Sequence, residues 1–443
     1  PAKPKSTPSS TTTSPNTAIG HPPHRVDLRR EIPDASEAFE RAGNRRFLFG
    51  AKPAQTNSFD LKLTSPPEIH NFVNHSRMTA QELKIHLGKR LQQARKLRGF
   101  SLRQLAGEIG GLVTYAALQK YEKGLSGPGS EVLNALCKAL AIDPDYLFRE
   151  TTVELAGIEF RKKTSVKVTE VDRIREESRD FFERYLEIEA ILKLKSKPLK
   201  VFSLDCPEDA AGDAFDEALE SVEEIARKVR RAWKLGENPI ANLHEELEHA
   251  GVKVKEVDAG KSFDGFSGWA GDVPVIVLAK HLNENLPRKR FTAAHELAHL
   301  ALRLPEGLPK KLKERLCDRF AGSFLLPASG LSEFGEKRSQ ITLGELKALK
   351  EDWGLSLQAI MRRFEDLGII PSHRRKNFDY RYRSHFKWHL NGEPGHWNGD
   401  EESSRFRQLV LRACAEELVT RSKAAHLLSL SHRDLDQAMT FIA

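Results

Sequence analysis

His295 and His299 stand four residues apart in FTAAHELAHLALRL, residues 291–304, a run with helical periodicity. On a helix this spacing stacks both imidazoles on one face about one turn apart, where both can reach a single tetrahedral zinc ion. Glu296 follows the first histidine, turned off the ligand positions but within reach of water activated by the metal, which makes it the candidate general base. Zinc brings the pKa of its water to roughly 7, so a neighbouring carboxylate can take the proton during attack on a peptide carbonyl. The plainer alternative is a helix whose histidines are hydrogen-bonded inside a core. A catalytic zinc needs a third protein ligand and an open position. In KERLCDRFAGSFLLP, Glu314 and Asp318 are again four apart on one helical face. Glu314 is assigned as third ligand and Asp318 as the partner that orients a histidine, with the reverse assignment left open.

These side chains need a scaffold, and the chain around them reads as mixed helix and strand. Helical patterning in DEALESVEEIARKVRRAWKLG precedes VKVKEV, FSGWAG and PVIVLAK, which read as short strands, alternating or buried. Helices are expected again at about Pro309 to Leu326, Thr342 to Trp353 and Ser356 to Leu367. Upstream, Leu83, Leu87, Leu91 and Ala94 recur at helical spacing up to Gly99. Ser101 then sits where a cap belongs ahead of LRQLAGEI, Gly110-Gly111 punctuates, and Thr114 caps YAALQKYEKG. With SEVLNALCKALAI and a close near Phe148 these make a five-helix unit. A heptad-like stretch from Val168 to Leu194 predicts a connecting helix that packs either on its own chain or on a second copy.

Composition bounds the rest. The 443 residues exceed one ordinary core, so two structured domains plus tails are expected. No apolar run approaches the roughly 20 residues of a membrane helix, and the net charge of +8 favours a polyanionic partner. Four scattered cysteines without a Cys-x-x-Cys pair, and an N-terminus without an apolar signal region, predict a reduced, cytoplasmic setting. The resulting division is a disordered extension over 1–77 without a specific role, a tail or sequence upstream of a start at Met78 being the alternatives, then a helical domain over 78–150, and a connecting strand and long helix over 151–200. A mixed domain follows over 201–375, then a C-terminal loop and helices over 376–443. The histidine- and aromatic-rich section around His385, His389, His396 and Trp397 matches no ligand motif and is expected to be a structured loop covering the cleft. No internal repeat stands out.

Several separated motifs carry a resemblance. ARKVRRAWKLGENPIANLHEELEHAGVKV, DGFSGW, PVIVLA, RFTAAHELAHLAL, ERLCDRFAGSFLLP and LSLQAIMRRFEDLGII, in that order over about 222–370, resemble the ImmA/IrrE family of metallopeptidases. The resemblance implies a zincin-like fold, zinc on His295, His299 and Glu314, and Glu296 as base. The family commonly has Ala-Asn where this chain has Cys317-Asp318. No oxyanion-stabilising residue is indicated. Residues 83–148 resemble an XRE-type helix-turn-helix domain, through GKRLQQARKLRGFSLRQLAGEIG, VTYAALQKYEKG and LNALCKALAIDPDYL. The helix from about Tyr115 to Lys123, capped by Thr114, is then the recognition helix. Tyr115, Ala116 and Gln119 face base edges, Arg103, Gln104, Lys120 and Lys123 face phosphates, and Thr114 is counted with them among the DNA-binding residues. The Gly110-Gly111-Leu112 turn is longer than the family's usual one. A helical bundle that binds protein instead of DNA is the alternative.

The expected fold class is therefore α+β and mainly helical, a five-helix DNA-binding domain followed by a zincin-like metallopeptidase domain with a small sheet. The expected function is a bacterial or phage DNA-binding regulator with a zinc-dependent endopeptidase domain that cleaves a partner repressor or antitoxin. Its partners would be a double-stranded operator, a protein substrate and a second copy of the chain. The competing reading is a non-catalytic transcription factor or antitoxin whose zincin-like domain senses a ligand or binds a partner.

Overall fold

The computed structural model describes residues 79–149, 153–158, 167–207, 212–335, 337–338 and 340–440; the extension expected over 1–77 and the start at Met78 lie outside these. The first domain is all helical, with α1 Ala80–Leu97, α2 Leu102–Glu108, α3 Tyr115–Glu122, α4 Ser130–Leu140 and α5 Pro144–Phe148. Caps fix most of its starts. The hydroxyls of Thr79 and Ser101 accept from the backbone N–H three residues on, and Glu82 and Gln104 answer from those positions, forming two capping boxes. Leu91, Ala94, Leu105, Leu118, Leu136 and Leu147 meet in one core.

Beyond it come β1 Leu155–Ala156, α6 Val168–Ile191, β2 Phe202–Ser203, α7 Asp213–Ala232, α8 Leu243–His249 and the strands β3 Lys253–Val257, β4 Gly265–Ala270 and β5 Val273–Ala279. The sheet order is β1-β4-β5-β3, antiparallel except for the parallel β3–β5 pair. All seven residues of β5 are buried, which is why PVIVLAK shows no alternation. Then follow α9 Leu286–Ala301, β6 Leu302–Arg303 (parallel to β2), α10 Lys310–Leu325, α11 Leu343–Trp353 and α12 Leu357–Asp366. α9 lies on β4 and β5, and α10 packs against α9 and α7. The chain is mainly helical with a small mixed sheet, the expected α+β class.

The connecting helix packs within its own chain. Ile174 and Phe182 of α6 enter the main core, while Tyr185 and Ile188 enter a separate cluster built from the C-terminal helices. Its Glu183 accepts from Arg90 of α1 at 3.1 Å and from Arg179 at 2.9 Å, at the seam with the first domain. The C-terminal section is more helical than a loop: α13 Ser372–Tyr380, a π turn over Arg381–His385, α14 Trp388–Asn391, and then α15 Arg405–Ala415, α16 Arg421–Leu428 and α17 His432–Ala438. Between α14 and α15, Trp397 stacks on the Arg290 guanidinium at 4.2 Å, and the buried Glu401 carboxylate accepts from the first two N–H groups of α8. That stretch thus clamps α8 to the N-terminal half of α9. Among the described residues no helix is long and apolar enough to cross a membrane.

Candidate functional site

α9 starts on an Asn285 cap with Pro287 in its first turn, and eleven of its sixteen residues are buried, so its register against the sheet is set by packing on most sides. His295 is fully buried and His299 partly, one turn on, in the last turn of the helix. Their Nε2 atoms face each other at 3.1 Å. Glu314, from the first half of α10, brings Oε2 to 3.5 Å from His295 Nε2 and Oε1 to 3.9 Å from His299 Nε2. Two zinc–nitrogen bonds of about 2.0–2.1 Å in a tetrahedron put their nitrogens roughly 3.3 Å apart. The two nitrogens therefore have the spacing that one zinc ion requires, with the Glu314 carboxylate beside them.

The outer nitrogens are engaged as well. His295 Nδ1 lies 2.8 Å from Asp318 Oδ1, the arrangement that fixes a ligating histidine's tautomer and ring orientation. Asp318 is half exposed at 52%, whereas Glu314 is 24% exposed and lies nearer the enclosed side. Cys317 Sγ lies 3.6 Å from His299 Nδ1. His295, His299 and Cys317 also form a compact donor group, one atom from each within 4.8 Å of the others. Glu314 faces the two nitrogens that face each other, while the thiol sits beside the opposite nitrogen of His299. Glu296, buried, accepts a hydrogen bond from Ser267 Oγ of β4 at 2.8 Å through Oε2.

Sequence reasoning did not single out Ser267 or the thiol of Cys317. A serine inside an otherwise apolar buried strand was the available signal for the first. For the second it was a position three residues after Glu314, on the same helical face.

In the first domain, Tyr115, Ala116, Gln119, Lys120 and Lys123 are exposed on α3 or at its end, and Leu118 is buried beneath them. Arg103 of α2 is exposed, and its guanidinium lies 5.4 Å from the Tyr115 ring centre. Two of the expected contact residues have local duties. Thr114 Oγ1 accepts from Ala117 N at 3.3 Å, and Gln104 Oε1 accepts from Ser101 N at 2.9 Å, so both are occupied as caps. Gly110 and Gly111 both take left-handed φ in the turn before α3, a conformation that explains two consecutive glycines there.

The family model described as Helix-turn-helix matches residues 91–147, and the one described as IrrE N-terminal-like domain matches residues 247–365. The chain joins an XRE-type helix-turn-helix domain to an IrrE-like domain. The IrrE-like match spans His295, Glu296, His299, Glu314 and Asp318, together with Ser267. Two curated proteins of Sinorhizobium fredii (strain NBRC 101917 / NGR234), each named an uncharacterized HTH-type transcriptional regulator, are similar to part of the chain. One, y4wC, is 32% identical over 83 residues, 19% of this chain and 57% of that protein. The other, y4aM, is 35% identical over 74 residues, 17% of this chain and 50% of that protein. The chain thus spans about half the length of the curated relatives it matches. No solved structure gives a significant match.

Proposed function

We propose that the chain is a DNA-binding transcriptional regulator whose IrrE-like domain is a zinc-dependent endopeptidase that cleaves a partner repressor or antitoxin. The observation that carries the reading is the convergence of His295 Nε2, His299 Nε2 and a Glu314 carboxylate, with Asp318 behind His295. These three residues would hold the metal. Asp318 accepts the His295 Nδ1 proton and leaves the Nε2 lone pair directed inward. When bound, zinc supplies Lewis acidity toward a carbonyl and acidifies water to near neutral pH. Glu296, held by Ser267, takes a proton from the attacking water and returns it to the departing amine.

The helix-turn-helix would direct this activity to a promoter. α3 enters the major groove with Tyr115, Ala116 and Gln119 toward the bases, and Arg103, Lys120 and Lys123 take phosphates. A homodimer would read two half-sites. The test compares wild type with Glu296→Gln, each co-expressed with the repressor encoded beside it. The reading expects about one zinc per chain in both by elemental analysis, operator binding in both, and cleavage by wild type alone. Metal-free wild type, or a repressor left intact by metal-loaded wild type, would overturn the peptidase reading in favour of ligand sensing or partner binding.

A further inference from the structure

Among the described residues, three pairs of short helices share one layout, a helix-turn-helix whose two helices each start on a hydroxyl cap. They are α2–α3, capped by Ser101 and Thr114, α11–α12, capped by Thr342 and Ser356, and α16–α17, capped by Thr420 and Ser431. Counting from each cap, the fourth residue is always buried and apolar. It is Leu105 and Leu118 in the first pair, Leu346 and Ile360 in the second, and Ala424 and Leu435 in the third. This repetition is invisible as sequence identity, because only cap chemistry and one apolar position per helix recur.

What separates the pairs is the outer face of the second helix. α12 has no exposed residue and belongs to the core of the IrrE-like domain, so the layout by itself implies only packing. α17 instead has the pattern of α3. Cap, first, second, fifth and sixth residues are exposed in both, as Thr114, Tyr115, Ala116, Gln119 and Lys120 in one and Ser431, His432, Arg433, Asp436 and Gln437 in the other. The caps of α16 and α17 are two residues closer than those of α2 and α3, and a single left-handed residue, Ser429, replaces the Gly110-Gly111 turn. The α16–α17 pair also stands on its own small core, in which Leu409, Val410, Leu427 and Leu435 meet Tyr185 and Ile188 of α6.

We infer that α16 and α17 form a second DNA-binding helix-turn-helix, with α17 as the helix that enters the major groove of duplex DNA. Gln437 can pair with an adenine edge, and Arg433 with a guanine edge or a phosphate. Of the two acidic side chains on α17, Asp436 pairs with Arg421 at 2.6 Å, and Asp434 accepts from the Ser431 hydroxyl at 2.7 Å. Arg149 Nη1, just past α5, lies 2.8 Å from His426 Nε2 of α16, so the second pair sits beside the first domain.

The test uses the full chain and a pool of random 30-base-pair duplexes, with α3 disabled by Gln119→Ala, Lys120→Ala and Lys123→Ala. This variant is expected to keep enriching a duplex sequence and to bind it with a salt-dependent affinity. Adding Arg433→Ala and Gln437→Ala, both on exposed positions, should weaken that binding at least tenfold, abolish the enrichment and leave the melting temperature unchanged. If Arg433 meets a phosphate, the log–log salt slope also falls by about 0.9. A disabled-α3 protein that binds no duplex, or binding and enrichment indifferent to Arg433 and Gln437, would overturn the inference. So would a protein partner captured through α17 without any duplex binding.

Discussion

α9 and α3 carry the chain's two candidate activities in opposite ways. α9 buries eleven of sixteen residues, His295 among them, whereas α3 buries Leu118 alone of eight. A polar group that must grip an ion is held in place by the packing around it, so its function and its fold are lost or kept together. A side chain that must meet DNA is held by the helix beneath it, so it can be changed at little cost to the fold.

The comparison can be pressed hardest at the metal. Removing His295 should lower zinc affinity beyond the roughly 100-fold that an outer partner commands, and elemental analysis of dialysed His295→Ala would read close to zero. Operator binding through α3 should survive, and its loss would mean that the two regions are not independent. Next in size, Glu296→Gln should cut proteolysis by about 10²–10⁴-fold at unchanged metal content, which a cleavage time course would measure. Asp318→Asn should weaken metal binding by about 10–100-fold in a chelator competition, since it leaves the ligands and removes only the group behind one of them. On α3, Gln119→Ala should cost about 1–3 kcal/mol of operator binding by fluorescence anisotropy, with no change in melting temperature.

The comparison is also sharpened through pH, at His244 of α8, which packs against α9. Burial first, then the charges of Lys289 and Arg290, pull the His244 imidazole down to about 3. The unfolded chain binds that proton near pH 6.5 and the folded chain does not, so stability falls as pH drops from 6.5 toward 3, by up to about 1.4 kcal/mol per unit. Melting curves for His244→Gln should show that acid loss reduced; an unchanged slope would assign it to other groups.

Much of this was legible because it is local. A four-residue spacing and a cap are properties of one helix, so the histidine pair, the helical first domain and the strands around PVIVLAK could be read without knowing the fold. Contacts between elements were not. Ser267 reaches Glu296 across 29 residues, and Glu401 reaches the start of α8 across more than 150, from a stretch whose sequence reads as loop. The long connecting helix has an apolar stripe that would suit a partner helix equally well; only the fold shows that Tyr185 and Ile188 are covered by the chain's own C-terminal helices.

The first domain and the connector that follows it both hold to the body. Arg90 is pinned to Glu183 inside the seam with α6, and Leu155 and Ala156 are zipped onto Ala270 and Trp269 of β4, the strand that carries Ser267. Breaking a buried ion pair costs about 3–5 kcal/mol. An Arg90 change would therefore loosen the first domain at that seam. β1 covers the outer edge of β4, so the strand that steadies Glu296 meets the chain's own connector there instead of solvent.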